Sequence, residues 1–221
     1  MTNQGPPTRL TEVDDLIRQS LPHLKYGDKC YYAREFTKNS GYQHGATNQL
    51  IFNFKKSVDR RGKAEWRYKE RAIAQIIAEL SNLINPAFLK TSVVTWIPTS
   101  KAPHDPEYDN RLELLAHGLA RNVPGCCAIE IIRQRDSTPA FHSAGGYRDP
   151  EAIRSQYEFV AGQLPPLCQT ILALDDVITT GAHFRAFSDT LRTKWREHPI
   201  FGVFVARAVE PDVASMFGPI D

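Results

Sequence analysis

The chain has 221 residues, 42% of them hydrophobic and 24% charged, which excludes the collagenous, disordered and disulfide-dense classes and predicts one large or two small globular domains. At this size roughly 70% of the unfolded surface can be buried on folding, so a core needs neither a metal nor disulfides. The 27 basic residues against 25 acidic ones leave +2, far from the basic excess with which duplex-binding proteins displace counterions, so nucleic acid is not the favoured partner.

The opening MTNQGPPTRL carries no charged segment followed by an apolar one, and no run approaches the roughly 20 apolar residues of a membrane span. The expectation is a cytoplasmic protein with no membrane partner. Residues 11–20 hold a Thr-x-x-Asp capping signature, Thr11 and Asp14, with Val13, Leu16 and Ile17 on one face, which predicts a helix. Strand-like runs follow over 30–36 and 50–54. A long helix comes next, with Ile73, Ile76, Ile77, Leu80 and Leu83 in one stripe, and Asn85 and Pro86 end it. Residues 93–97, 110–121 and 128–132 read as strand, helix and strand, a βαβ unit with Leu112, Leu115 and Leu119 turned inward. The core signal then stops. Residues 134–154, with Gly145, Gly146 and two prolines, lack an apolar period; a segment of that length inside a compact domain is usually functional or disordered. Order returns with an apolar strand over 170–174, a helix over 182–197 bearing Phe184, Phe187, Leu191 and Trp195 on one face, and a strand over 201–205. Alternating βα units with apolar strands predict an α/β fold, a parallel sheet flanked by helices, whose ligands sit at the C-terminal strand ends. Cys30, Cys126, Cys127 and Cys168 include no CxxC pair, and adjacent cysteines are poor disulfide partners, which suits a reducing compartment.

The string ILALDDVITTG, residues 171–181, lies at one such end. An apolar strand delivers Asp175 and Asp176, and the chain then turns through Thr179, Thr180 and Gly181 into a helix. Free backbone N–H groups, two hydroxyls and the positive end of a helix dipole make an anion site suited to a phosphate. Carboxylates beside a phosphate need hydrogen-bond donors or a cation of their own, and a ribose diol with a nearby Mg²⁺ supplies both. A sugar 5-phosphate fits this chemistry. A Walker P-loop does not, for no Gly-Lys-Ser/Thr occurs, and a DxD phosphatase would need a carboxylate at Val177. A plain strand end accounts for the two acids but not for Thr-Thr-Gly in register with a helix start.

At these residues the chain resembles the type I phosphoribosyltransferases, whose fingerprint is four apolar residues, two acids and a Thr-rich turn ending in Gly. The resemblance implies that Asp175 and Asp176 hold the ribose 2- and 3-hydroxyls of phosphoribosyl pyrophosphate (PRPP), and through them a Mg²⁺. It implies that Thr179, Thr180, Gly181 and Ala182 cradle the 5-phosphate, with His183 where the family has Thr or Ser. It is closest to the ComF-like competence-protein branch, where an apolar strand and a Pro-containing loop precede an Asn-Gln-x-Glu-Leu-Leu-Ala helix. Here VVTWIPTSK is followed by DNRLELLAHGLA, matching at Asn110, Glu113, Leu114, Leu115 and Ala116, with Arg111 in place of Gln. By that pattern the loop of Pro98, Thr99, Ser100 and Lys101 contacts pyrophosphate, with Lys101 as its cation. A loop over about 134–154 closes over the reacting centre and excludes water, and Arg133, Arg135 and Arg148 are candidates to neutralise pyrophosphate, Arg133 and Arg148 foremost.

The resemblance covers about residues 91–208. It implies a core over 91–221 and an N-terminal accessory or hood region over 1–90, where ComF proteins often carry a four-cysteine zinc module that this chain cannot build. Acceptor specificity is left open, and a homodimer is compatible. From Lys55 to Arg71 there are eight basic and three acidic residues, interleaved with Trp66 and Tyr68 and preceded by Phe52 and Phe54. A solvated helix face is the first reading of this stretch and a single-stranded nucleic-acid surface the second. His23, His44, His104, His117, His142 and His198 show no HxxxH or HxH spacing for a transition metal. Three functions follow in order: a Mg²⁺-dependent phosphoribosyltransferase that transfers or hydrolyses the phosphoribosyl group with release of pyrophosphate; a non-catalytic module sensing PRPP or nucleotides, or associated with nucleic acid, in bacterial competence or defence; and a metal-dependent hydrolase built on Asp175 and Asp176.

Overall fold

Three apolar strands form the middle of the sheet: β3 (Ser92–Trp96), β7 (Thr170–Ile178) and β8 (Ile200–Val209). Successive side chains alternate between faces, and here both sets are apolar. Val94, Trp96, Leu172, Leu174, Val203 and Val205 belong to one core, Val93, Ile171, Ala173, Ile200 and Phe204 to the other. Such strands have to be covered on both sides, which is the condition for a parallel sheet between helices.

In the computed structural model, which describes residues 5–138 and 149–211, this requirement gives an α/β architecture. The sheet order is β1 (Thr11–Glu12), β2 (Lys29–Thr37), β8, β7, β3, β4 (Cys127–Ala128). All neighbours are parallel except β1 on β2. One face is covered by α2 (Ala46–Phe54), α3 (Trp66–Leu83), α4 (Pro86–Lys90) and α5 (Arg111–Asn122), the other by α7 (Ala182–Arg192). Residues before 91 thus supply two strands of the same sheet and much of one helical layer. Arg34 on β2 is clamped to Glu79 on α3 by two hydrogen bonds of 3.0 and 2.6 Å. Gly118 lets α5 lie close to α3, since a Cβ there would stand 2.3 Å from Ile77 Cδ1. Among the described residues no helix is long and apolar enough to cross a membrane.

Several elements differ from expectation. The run 50–54 lies at the end of the helix α2, not in a strand. Its buried residues Thr47, Leu50, Ile51 and Phe54 have helical spacing, and Asn48 pins the helix to β2 by accepting from Thr37 N at 3.1 Å and donating to Thr37 O at 3.0 Å. The 11–20 segment splits into β1 and a one-turn helix α1 (Asp15–Arg18), because Asp14 rather than Thr11 is the cap, its Oδ1 accepting from Ile17 N at 2.8 Å. The run 128–132 also divides. β4 ends beside β3, and the chain leaves the sheet to form β5 (Ile132–Gln134), paired antiparallel with β6 (Tyr157–Phe159) after the short helix α6 (Pro150–Arg154). The two strands of this arm therefore flank the expected loop over 134–154, and the last five residues of that loop form α6. Gly145, Gly146 and Arg148 lie outside the described residues.

β3 continues through α5 to β4 on one side, and β7 continues through α7 to β8 on the other. The connections diverge between β3 and β7, which opens a crevice at their C-terminal ends, where ligands of open α/β sheets bind.

Candidate functional site

β7 runs on past the expected strand and carries both acids near its C-terminal end, followed by Val177 and Ile178. Strand alternation separates them. Asp176 faces the α2 and α5 layer, while Asp175 shares the α7 face with Ala173. The register on β8 passes from Asp175 opposite Phe204 to Val177 opposite Ala206. Between them the carboxylates cap the backbone, Asp175 Oδ1 accepting from Asp176 N at 2.7 Å and Asp176 Oδ1 from Val177 N at 2.6 Å.

Asp176 is buried and bonded to two cations. Lys55 Nζ, just beyond α2, lies 3.2 Å from Oδ1, and Arg111 Nη2, at the start of α5, donates to Oδ2. Burial opposes the carboxylate charge, but Lys55 and Arg111 outweigh burial and hold Asp176 well below the ordinary carboxylate range. Arg111 also donates to Asp109 Oδ2 at 2.8 Å. Lys69 on α3, 1% exposed, has acceptors for all three ammonium protons: Phe54 O at 2.7 Å, Lys56 O at 2.9 Å and Asp109 Oδ2 at 2.7 Å. Those two carbonyls flank Lys55, so Lys69 fixes the backbone from which Lys55 reaches Asp176. Asp175 has the opposite electrostatics. Burial and then the negative charge of Asp176 push its pKa up to about 7. The buried Tyr157 hydroxyl on β6 has no hydrogen-bond partner among the described residues; burial, and after it the charge of Asp175, raises its pKa.

After β7, Gly181 takes a left-handed conformation (φ 81°) and α7 begins at Ala182, so the turn presents the first N–H groups of a helix of 11 residues. Leu24 packs where a Gly181 Cβ would sit, and His23 N donates to Thr180 O at 3.0 Å, which fixes the turn from outside. From the neighbouring strand, Ile97 N donates to Leu174 O at 3.0 Å, so the loop of Pro98 to Lys101 starts beside the acids. That loop is tied to the far arm, with Thr138 N donating to Ser100 O at 2.9 Å and Ala102 N to Ser137 Oγ at 3.1 Å.

These parts enclose a cavity of about 840 Å³. Its walls include Asp175, Asp176, Thr179, Gly181, Ala182 and His183 from one loop, and Thr99, Ser100 and Lys101 from the other. Thr180 is not in the wall. Lys101 is engaged within its own loop, 2.6 Å from Glu107 and 3.5 Å from Asp105, and the hydrogen bond to Glu107 leads the causes that raise its pKa. Arg133 is not brought to the cavity. It lies on β5 with its guanidinium on Glu130, three residues before it. Arg135, on the same arm, pairs with Asp136 at 3.0 Å.

Sequence reasoning missed Lys55, Lys69, Asp109 and Tyr157 as parts of the site and took Arg111 only as a departure from a pattern. One signal was available: Lys69 falls on the buried stripe of α3 with Ala72, Ile73, Ile76 and Leu80, and a lysine on such a stripe requires acceptors. Among the described residues no group of three or more His, Cys, Asp or Glu side chains is arranged to hold a metal ion. Compared with models of known protein families and with curated proteins, the chain matches none.

Proposed function

We propose that the cavity binds PRPP with Mg²⁺ and that the chain is a phosphoribosyltransferase with the type I arrangement, closest to the ComF-like branch, transferring or hydrolysing the phosphoribosyl group with release of pyrophosphate. One observation carries this reading. A single cavity at diverging strand ends collects two carboxylates, a hydroxyl-bearing turn at a helix N-terminus and a second loop with a lysine. That combination matches a molecule with a diol between two phosphate-bearing ends.

In this reading Asp175 and Asp176 accept from the ribose hydroxyls. The helix N-terminus at Gly181, Ala182 and His183, with Thr179, holds the 5-phosphate, which would take over the Ala182 N–H that donates to Thr180 Oγ1 at 3.4 Å. Thr99, Ser100 and Lys101 meet the pyrophosphate. Carboxylate oxygens are the hard donors Mg²⁺ favours. Since both Asp176 oxygens already bond to cations, Asp175 and Asp176 would hold the ion through the ribose hydroxyls and not as a closed protein site. When bound, Mg²⁺ neutralises charge on the leaving pyrophosphate. The chain's own contribution is positioning of the ribose and preorganised charge.

Calorimetric titration with PRPP, with and without Mg²⁺, tests the reading. Saturable Mg²⁺-dependent binding at one site per chain is expected, weakened at least about tenfold in Thr179→Val and in Lys101→Ala, each of which removes one hydrogen bond to an anionic oxygen. Absence of heat under both conditions overturns it. A second reading, a sensor that binds without turnover, is favoured by the two cations already seated on Asp176. Pyrophosphate release on mixing with candidate acceptor bases separates the two.

A further inference from the structure

Of the eight cations between Lys55 and Arg71, three are paired: Lys55 with Asp176, Arg60 with Asp59 and Glu65, and Lys69 with Asp109. The other five have no carboxylate within 4.0 Å among the described residues. They are also clustered. Arg67 and Arg71 stand one turn apart on the exposed face of α3, an arrangement of like charges that costs a helix stability unless an anion uses it. Arg67 donates to the Tyr68 hydroxyl at 3.2 Å and lies 5.1 Å from the centre of that ring. Arg71, and Lys56 from the loop after α2, act on the same hydroxyl and with Arg67 lower its pKa, the hydrogen bond from Arg67 being the largest cause. Beside them Arg61 lies 5.4 Å over the Trp66 ring.

This edge runs into the cavity, whose wall includes Phe52, Lys55, Ser57 and Val58. Large aromatic faces are exposed along it, Tyr68 at 38% and Phe52 at 44%, with Tyr42 and Phe36 rings 6.4 and 6.0 Å from Phe52. Cations alone would suit any acidic polymer. Cations alternating with exposed rings suit one that also carries flat bases, since phosphates take the charge and bases stack on the rings.

We propose that this edge binds single-stranded nucleic acid, with phosphates on Lys56, Arg61, Arg67 and Arg71 and bases on Tyr68 and Phe52, and leads one end of the strand to the cavity mouth. The surface stands on its own geometry and does not depend on the PRPP reading. Fluorescence anisotropy of the full chain with labelled single-stranded DNA and RNA of about 12 nucleotides, within the span such sites cover, tests it. Four phosphate contacts predict a slope of log K on log salt near about −3. The double variant Arg67→Glu, Arg71→Glu, both exposed, should weaken binding at least about tenfold, and Tyr68→Ala about fivefold or more, one stacked base. Calorimetric binding of PRPP by these variants should match the unmodified chain, which keeps a failure here apart from a failure of the cavity. Two results overturn the proposal: no oligonucleotide binding at low salt, or binding that Tyr68→Ala leaves unchanged and that inorganic polyphosphate or anionic vesicles reproduce equally.

Discussion

The guanidinium of Arg111 sits between Asp109 and Asp176, with Nη1 2.8 Å from Asp109 Oδ2 and Nη2 donating to Asp176 Oδ2. It joins the start of α5 to the end of β7, and its planar face lies 5.8 Å from the centre of the Phe54 ring. Burial opposes its charge, but Asp176 and Asp109 outweigh burial and raise its pKa. Arg111→Gln would leave two little-exposed carboxylates facing Lys55 and Lys69 alone. The expected cost is about 3–5 kcal/mol, the range for breaking a buried ion pair by removing one partner, read as a fall in the urea midpoint. Arg111→Lys keeps the charge but loses the two-pronged geometry, so an intermediate loss is expected. Equal midpoints for the unmodified chain and Arg111→Gln would show that the bridge contributes nothing to the fold.

Asp175 makes a distinct contribution to pH dependence. Its folded pKa is raised to about 7 from an ordinary 3.8, so between those values the folded chain keeps a proton that the unfolded chain releases. The sign is therefore negative: Asp175 lowers stability as pH rises from about 4 to about 7, by at most about 1.4 kcal/mol per pH unit. Asp176 acts the other way. Its pKa is depressed, so its contribution is present above the ordinary carboxylate value and lost as pH falls below it. Urea midpoints across this window should decline with pH in the unmodified chain and decline less in Asp175→Asn. Parallel curves would mean that Asp175 is ionised throughout.

Gly181 is the one residue of the turn after β7 in the left-handed region, and a Cβ added to it would stand 2.7 Å and 2.8 Å from Leu24 Cγ and Cδ2. Gly181→Ala should lower stability by about 1–3 kcal/mol through backbone strain and this overlap. Gly162 is the contrast, with nothing within 4 Å of its Cβ position and no positive φ, so Gly162→Ala should stay within about 0.5 kcal/mol. Thermal unfolding of the two variants side by side checks the difference. Similar midpoints would show that Leu24 and the turn relax without cost.

Much of the site was legible because its chemistry is written in consecutive residues. The apolar strand, the two acids and the Thr-Thr-Gly turn occupy eleven positions, and strand period and turn residues act between near neighbours, so ILALDDVITTG could be placed at a strand end without knowledge of the rest. The long stripes of α3 and α5 were readable for the same reason. Short elements were not. Residues 50–54 show only five positions of a nine-residue helix, too few to separate helical from strand spacing, and the helix is settled by Asn48 holding on to β2.

The sequence by itself determined the α/β class, the parallel sheet and the strand end where the acids stand, since periodicity and turn chemistry are local. Tertiary structure alone decided which charges meet. Arg133, expected at the ligand, turns to Glu130, while Arg111, Lys55 and Lys69 converge on Asp176 and Asp109 from three helical elements. It also decided that two neighbouring carboxylates have opposite acidities. Consecutive strand residues face opposite sides of a sheet, and the charge and burial each side offers depend on which helices pack there.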